Sequence, residues 1–184
     1  MLVLASKSPR RRELLALYGY NFKVVTSYFD ENSIKENDPL ELVKKLAYCK
    51  ANSVKESYPD DIILAADTIV YVNDKVLNKP IDENDAYKML KYLSDVKKHY
   101  VATGVCIIKK NKVYNFVEKT TVYFHDLRDE EIWEYINSKE PLDKAGAYGI
   151  QGKGSSLVKK INGDFYNVVG LPISRINRIL KKIS

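Results

Sequence analysis

The sequence predicts an α/β or α+β fold, in which a twisted mixed sheet is flanked by helices. The stretch from about Pro39 to Glu56 places apolar residues at helical spacing. The run Ile62–Tyr71 that follows is apolar and rich in β-branched residues, as expected of a central strand. Farther along, strand patterns are separated by turns too short to hold a helix. Because helical crossovers join parallel strands and tight turns join antiparallel ones, we expect both arrangements in the sheet.

The remaining elements follow from local patterns. Ser8 and Pro9 form a helix start, with serine at the N-cap and proline at the first helical position. Asp82 is the expected N-cap of another helix. Asn162-Gly163 predicts a hairpin turn between strands at 156–161 and 165–169. Further strands are expected at Leu2–Ser6, Phe22–Thr26, Lys75–Leu77, Tyr100–Ile108 and Val113–Phe124, and further helices at Asp129–Ser138 and from Pro172 onward.

Composition favours a single compact domain over residues 1–184. The hydrophobic fraction of 45% and the charged fraction of 29% are ordinary for a globular protein. The sequence contains neither a run of about 20 apolar residues nor a secretion-signal core, and Cys49 and Cys106 lack the spacing of a disulfide framework. We therefore expect a cytoplasmic protein without membrane contact. Two histidines disfavour a His/Cys zinc site, so any metal would be a hard cation on carboxylates and phosphates.

The net charge of +6 and the pI of about 9.1 suit a polyanionic partner. Both nucleic acid and a small phosphate compound are compatible with this charge. The basic residues are scattered, many in Lys-Lys pairs typical of a solvated surface, and no RNA-recognition, helix-turn-helix or zinc-finger pattern is present. Nucleic acid is therefore the less favoured partner, although the 14 tyrosines could stack on bases.

The first unusual segment is the basic helix start Ser8-Pro9-Arg10-Arg11-Arg12. A helix N-terminus carries unpaired N–H groups and about half a positive charge, so arginines there are unfavourable unless an anion lies between them. Phosphate suits this place, because the N–H groups, the hydroxyls of Ser6 and Ser8 and the guanidinium groups all donate to its oxygens. Helical spacing lets only one or two of the arginines face one ligand. A solvated basic turn is the alternative.

Two further charged residues interrupt apolar patterns. Asp67 lies within the run 62–71, where an unpaired buried carboxylate would cost on the order of several kcal/mol. It is expected to lie at a strand end, pair with a cation, bind a metal or act as a base. Lys50 falls on the apolar stripe of the helix 39–56, so it either faces an anion or extends to solvent. For Lys79, just before a helix start, a surface position is the simplest interpretation.

A glycine-rich segment runs from Asp143 to Gly154. It holds four of the eight glycines, which permit positive φ and close approach of the backbone to a ligand. Gln151 within it can both donate to and accept from the edge of a base. A mobile linker is the alternative, but the alanine, tyrosine and isoleucine residues between the glycines are too apolar for one. We expect an ordered, packed loop.

Taken together, these segments resemble one protein family. Ala5–Leu15, Ala66-Asp67-Thr68, Lys79-Pro80, Asp143–Gly152 and Gly170-Leu171-Pro172 are similar, in this order, to motifs of the Maf family, the septum-formation-inhibitor-like nucleotide pyrophosphatases. The resemblance covers essentially the whole chain. It implies a fold similar to that of inosine-triphosphate pyrophosphatases, with two lobes and a central cleft. It also implies cleavage of a nucleoside triphosphate to the monophosphate and pyrophosphate with a divalent cation, Mg²⁺ or Mn²⁺.

The resemblance implies roles for single residues as well. Asp67 matches the family's proton acceptor, and Arg10, Thr68 and Gln151 match its substrate-specificity positions. The long form of the segment 143–152 resembles the branch that acts on dTTP and UTP, rather than the branch that acts on 7-methyl-GTP.

Elementary chemistry fits this implication. A triphosphate carries about four negative charges, so cationic and hydroxyl side chains are needed to bind it. Mg²⁺ would bridge phosphate oxygens with help from Glu31 or Asp67, and Asp67 would deprotonate the attacking water. Thr68 and Gln151 could read a pyrimidine edge. The expected phosphate-binding residues are Ser6, Ser8, Arg10, Arg11, Lys50 and Lys79.

Two other functions stay open at this point. One is a non-enzymatic module that binds nucleic acid through the basic surface. The other is a regulator of cell division that acts through a protein partner, as the family name suggests. The sequence leaves open the oligomeric state, a homodimer included, and the ranking of dTTP, UTP, CTP and modified nucleotides.

Overall fold

A computed structural model describes residues 1–183, in which seven strands and six α-helices form. The strands are β1 (Leu2–Leu4), β2 (Phe22–Val24), β3 (Ile62–Val72), β4 (Lys75–Leu77), β5 (Lys98–Lys109), β6 (Lys112–Phe124) and β7 (Val158–Asn162). The helices are α1 (Pro9–Leu17), α2 (Pro39–Lys55), α3 (Glu83–Val96), α4 (Asp129–Asn137), α5 (Phe165–Val169) and α6 (Ile173–Ile183). Every helix in this part of the chain is too short or too polar to span a lipid bilayer.

All seven strands belong to one mixed sheet. Its order is β2-β1-β3-β5-β6-β7, and β4 pairs with β3 outside this path. β1 runs parallel to β2 and to β3, with Leu4 opposite Leu64. β4 is antiparallel to β3, and β7 is antiparallel to β6. The parallel strands are connected through α1 and α2, whereas a two-residue turn connects β3 to β4. The predicted mixed α/β class is confirmed.

The described chain divides into two compact units, each assembled from separate stretches. Unit 1 comprises residues 1–68, 103–118 and 170–183, and unit 2 comprises residues 69–102 and 119–169. Strands β3, β5 and β6 contribute residues to both units.

The core of unit 1 lies between α2 and the strands β1, β3 and β5. Gly104 in β5 allows α2 to approach closely, because a Cβ atom at this position would lie 2.1 Å from the carbonyl oxygen of Val43. This close approach brings α2, and with it Lys50, onto the sheet. The buried members of the core are Val3, Ala5, Ala47, Ala51, Val54, Ile63, Ala65, Cys106 and Ile108.

The core of unit 2 is built from α3 and α4 together with strand and loop residues. Leu90, Leu93, Ile132 and Ile136 are fully buried within it. His99 is also fully buried, and its Nε2 lies 2.6 Å from the hydroxyl oxygen of Tyr148. Burial lowers the pKa of His99 to about 3, so the ring is neutral in the folded protein at ordinary pH.

The prediction of a second strand in the C-terminal hairpin, at residues 165–169, is wrong. β7 ends at Asn162 and pairs with β6, but residues 165–169 form α5. Gly163 has a φ of +129°, which ends the strand, and the Asp164 carboxylate accepts a hydrogen bond from the N–H of Asn167 at 3.1 Å. This side-chain bond stabilises a helical turn. The other predicted helices and strands are confirmed to within a few residues at their ends.

Candidate active site

Arg11 connects three distant segments of unit 1. It is half-buried in the first turn of α1. Its guanidinium donates to the carbonyl oxygen of Gly170 at 2.8 Å, to Ser6 Oγ at 3.1 Å and to Thr68 Oγ1 at 3.0 Å. These acceptors lie after β1, inside β3 and shortly before α6. Because guanidinium N–H directions are fixed in one plane, the three bonds determine the orientation of the side chain and the position of the helix start.

The start of α1 combines adjacent positive charges with two carboxylates nearby, those of Asp67 and Glu31. Burial lowers the pKa of Arg11, Asp67 opposes this shift, and the neighbouring Arg10 adds to it. Ser8 is the N-cap, but its hydroxyl caps none of the helix N–H groups over residues 9–17. Its backbone N–H instead donates to Ser6 Oγ at 3.2 Å. The helix start therefore presents positive charge and an uncapped N-terminus, which together favour an anion.

Lys50 pairs with two carboxylates. Its Nζ lies 2.9 Å from Glu31 Oε1 and donates to Asp67 Oδ1. The side chains of Lys50 and Asp67 are 12% and 14% exposed, whereas that of Glu31 is 55% exposed. Of the two alternatives for Lys50, the structure shows the one in which it faces an anion. Asp67 lies inside β3 rather than at its end, and a cation is its partner.

Glu31 and Asp67 are also the predicted metal ligands. Both direct one oxygen at the same ammonium group. Among residues 1–183, no three His, Cys, Asp or Glu side chains are grouped closely enough to hold a metal ion. A hard cation at this place would have two protein carboxylates, and phosphate oxygens and waters would complete its coordination. This donor set fits Mg²⁺ or Mn²⁺ bound together with a phosphate compound.

Thr68, next to Asp67 in β3, has its hydroxyl in a polar network. Its Oγ1 accepts from Arg11 and lies 2.8 Å from Thr103 Oγ1 and 3.4 Å from the carbonyl oxygen of Gly170. Neither Thr103 nor Gly170 has a role that sequence reasoning finds, because threonine is common in strands and Gly170 takes part through its backbone alone. The motif that begins at Gly170 was the only available signal. Thr68 is thus placed to orient Arg11.

The structure brings the predicted site residues together in two groups within unit 1. Ser6, Arg11 and Thr68 form one group, and Glu31, Lys50 and Asp67 form the other. The two groups adjoin in β3, where Asp67 and Thr68 are consecutive residues. Ser8 and Arg10 belong to the same unit at the start of α1.

Lys79 and Gln151 belong to unit 2. Lys79 follows β4 and is exposed. Gln151 is exposed and directly precedes a 3-10 helix over Gly152–Leu157. The segment that carries Gln151 is an ordered loop, as expected from its apolar residues, since Ala147, Tyr148 and Ile150 are buried.

The whole described chain matches one known protein family, and both groups of site residues in unit 1 lie within the match. The model of the Maf-like protein family matches residues 1–183. The chain belongs to the Maf-like protein family. The resemblance drawn from the sequence motifs is thereby confirmed.

Curated relatives of this Maf-like chain match it over nearly their whole length. A dTTP/UTP pyrophosphatase of Geobacillus sp. (strain WCH70) is 48% identical over 182 residues, which cover 99% of this chain and 97% of that protein. A dTTP/UTP pyrophosphatase of Bacillus cereus (strain ATCC 10987 / NRS 248) is 52% identical over 183 residues, which cover 100% and 90%.

A solved structure shares the fold at low sequence identity. A HAM1 protein from Coxiella burnetii superposes on the Maf-like chain with a TM-score of 0.53 and 13% identity, and the match covers 98% of each chain. At this identity the similarity shows a common fold alone.

Proposed function

We propose that this Maf-like protein is a hydrolase that converts dTTP and UTP to the nucleoside monophosphate and pyrophosphate. The observation that carries the proposal is the placement of Asp67, which pairs with Lys50 and directly precedes Thr68, an acceptor of the Arg11 guanidinium. Relatives that are 48% and 52% identical, and that are named dTTP/UTP pyrophosphatases, support the activity and the substrate class.

The positive groups of unit 1 suit a triphosphate. Arg10 and the Ser8 hydroxyl contact phosphate oxygens, because they lie at a helix start whose N–H groups also favour an anion. Arg11 and Ser6, bonded to each other, hold that helix start in place and add charge. Lys50 exchanges its contact with Glu31 for a phosphate oxygen, since Glu31 is the more exposed of its two partners. Lys79, which belongs to unit 2, is assigned to phosphate binding only through its match to the family motif Lys79-Pro80.

Asp67 serves as the base in this proposal. The oxygen of a water molecule forms a bond to a phosphorus of the α–β bridge, while the bond from that phosphorus to the bridging oxygen breaks. Asp67 accepts the proton of the water, and we assign this role to Oδ2 because Oδ1 accepts from Lys50. A positioned base of this kind contributes about 10²–10⁴-fold to the rate. Lys50 and Arg10 neutralise the charge that develops on the departing phosphate group.

Glu31 and Asp67 are the residues that would hold Mg²⁺ or Mn²⁺. When bound, the cation supplies charge neutralisation at the phosphate oxygens. The convergence of the two carboxylates on one ammonium supports this assignment.

Gln151 selects the base in this proposal. Thymine and uracil both present an N–H donor between two carbonyl acceptors, and a side-chain amide can accept from that N–H and donate to a neighbouring carbonyl. The exposure of Gln151 supports this role. Arg10 and Thr68 contribute to selection through the position of the phosphates, since Thr68 is bonded to Arg11 beside Arg10.

We further propose that the protein works in a reducing, cytoplasmic environment. Cys49 is half-buried and Cys106 is buried, and both are free thiols. Paired cysteines would be usual in a small secreted domain.

A product-resolved assay tests the proposed function. The purified protein is incubated with Mg²⁺ and each common or modified triphosphate, and the products are separated by ion-exchange chromatography. We expect dTTP and UTP to give monophosphate and pyrophosphate in equal amounts and to react fastest. Diphosphate and phosphate as products would refute the assignment of the cleaved bond, and no turnover of any triphosphate would refute the enzymatic function.

A further inference from the structure

The loop that carries Gln151 is held by a side chain to which neither the motifs nor the comparisons assign a role. Within unit 2, the loop contains 3-10 turns over Glu140–Asp143, Ala145–Ala147 and Gly152–Leu157. Gln151 lies at the start of the last turn and is exposed. An exposed glutamine side chain is held in one place only if the backbone on both sides of it is fixed. The hydrogen bonds of that backbone therefore determine how well Gln151 can select a ligand.

The Glu140 carboxylate binds the backbone that follows Gln151. Its Oε2 accepts from the N–H of Lys153 at 3.2 Å, and its Oε1 accepts from the N–H of Gly154 at 3.3 Å. Oε1 also accepts from the hydroxyl of Tyr135 at 3.1 Å. Hydrogen bonds from N–H groups to an ionised carboxylate are stronger than those between neutral groups, so this side of the loop is firmly held.

Tyr135 binds the backbone that precedes Gln151. It belongs to α4 and is buried, and its hydroxyl oxygen accepts from the N–H of Gly149 at 3.2 Å while it donates to Glu140. Burial raises the pKa of Tyr135, which keeps the phenol protonated and able to donate. The phenol from α4 and the carboxylate from the 3-10 turn that follows therefore fix the amides on both sides of Gln151.

The close packing of the loop supports this arrangement. A Cβ atom on Gly154 would lie 2.0 Å from the carbonyl oxygen of Gly149 and 2.8 Å from the hydroxyl oxygen of Tyr135. The two ends of the segment 149–154 are thus in direct contact, and no larger residue fits at Gly154. Lys144 closes the base of the loop, since its Nζ donates to the carbonyl oxygen of Glu140 at 2.7 Å.

We propose that Glu140 is a positioning residue that holds Gln151 in the orientation needed to select the pyrimidine base, with Tyr135 as its second anchor. The inference rests on the proposed function of the chain as a dTTP/UTP pyrophosphatase. Glu140 touches no substrate in this assignment. It acts through the backbone of Lys153 and Gly154, and its loss changes how a substrate is chosen more than how a bound substrate reacts.

The test compares the parent protein with two single variants, Glu140→Gln and Tyr135→Phe. Gln has the shape of Glu but presents an NH₂ group to one of the two N–H donors, and Phe lacks the bridging hydroxyl. We expect the KM for dTTP to rise about tenfold or more and the preference for dTTP over dATP to fall by a similar factor, with kcat within about threefold of the parent, as for a misplaced binding group. Backbone amide exchange at residues 149–154 is expected to accelerate in both variants.

Two further variants make the result specific. Gln151→Ala added to Glu140→Gln is expected to change selectivity little further, because both substitutions remove the same interaction. Asp129→Asn removes a carboxylate of the same unit whose partner is Lys91 of α3, and should leave KM and selectivity unchanged.

The outcomes separate this inference from the proposed function. If the parent protein hydrolyses dTTP but a folded Glu140→Gln variant keeps its KM, selectivity and loop exchange, the positioning role is refuted while the function stands. If the parent protein releases no pyrophosphate, the proposed function fails first, and faster amide exchange in the variant would then establish the loop contact alone. If Glu140→Gln does not fold, Tyr135→Phe decides by the same measurements.

Discussion

The ammonium of Lys50 in α2 donates to the carboxylate of Asp67 in β3, 17 positions later in the chain. Only 12% and 14% of the two side chains is exposed. Two opposite charges so far removed from water stabilise each other, and the removal of one leaves the other without a counter-charge. The same contact that orients the proposed base therefore also contributes to the stability of unit 1.

Asp67→Asn is expected to remove about 99% or more of the turnover, because the amide cannot accept the proton of the attacking water. The variant should fold, since asparagine has the shape of aspartate, its Oδ1 can still accept from Lys50, and Glu31 remains as a counter-charge for Lys50. Pyrophosphate release at saturating dTTP and circular dichroism check the two statements. Asp61→Asn is a matched control, because Asp61 pairs with the N-terminal amine. Near-normal turnover in Asp67→Asn would show that another group is the base.

Lys50→Met is expected to lower the free energy of unfolding by about 2–4 kcal/mol, because Asp67 then lacks its cation in a largely buried position. Urea unfolding followed by fluorescence measures the change. The double variant Lys50→Met with Asp67→Asn should recover part of the loss, since no charge is then left unpaired. Lys45→Met, which breaks a surface pair with Glu36, should unfold like the parent. An equal decrease in the free energy of unfolding in Lys50→Met and Lys45→Met would contradict the assignment of Lys50 and Asp67 as a buried pair.

Arg11→Lys is expected to destabilise the protein by about 1–3 kcal/mol, although it keeps the positive charge. A lysine ammonium cannot satisfy the three acceptors that Arg11 reaches in one plane. We also expect kcat/KM for dTTP to fall, because the start of α1 loses its fixed position. Thermal unfolding and steady-state kinetics measure both effects, with the exposed Arg12→Lys as the comparison. A parent-like melting temperature in Arg11→Lys would rule out the proposed anchoring.

His99 is expected to make the protein less stable as the pH falls. Its pKa is lowered from 6.5 to about 3 in the folded state by burial, so below pH 6.5 the unfolded chain binds a proton that the folded chain does not. The stability that His99 contributes is complete above pH 6.5 and is lost as the pH falls toward 3. Between pH 7 and pH 5 the loss from this group is about 2 kcal/mol.

Urea unfolding at pH 7 and pH 5 isolates this effect. His99→Phe should reduce the difference between the two free energies of unfolding, whatever the cost of the substitution at pH 7. His125→Gln changes the other histidine, which is exposed, and should keep the parent's pH dependence. An unchanged pH dependence in His99→Phe would show that the pKa of His99 is the same in the folded and unfolded protein, contrary to the lowering by burial.

The helices and strands could be predicted because the burial of one face places apolar residues at regular intervals in the sequence. The stripe of α2 and the apolar run of β3 are examples, and Asp67 and Lys50 were recognised because they interrupt these patterns. The residues 165–169 were misassigned because Phe165 and Val169 suit a strand, whereas the Asp164 bond that stabilises the helix leaves only a weak local signal.

Part of the site could not be read from the sequence for a different reason. Thr103 meets Thr68, and Glu140 meets backbone amides, through contacts between positions far apart in the chain. A threonine in a strand and a glutamate before a proline are ordinary residues in their local context. Only the folded chain shows that the carbonyl oxygen of Gly170 accepts a hydrogen bond from Arg11.

The route of the chain through unit 1 has a consequence for biosynthesis. Residues 170–183 complete a unit that begins at the N-terminus, and the carbonyl of Gly170 is the partner of Arg11. While these residues are still inside the ribosome, the nascent chain cannot close the contact around Arg11. The proposed phosphate-binding helix start is therefore completed only once Gly170 has left the ribosome, and a chain cut short before Gly170 would lack this contact.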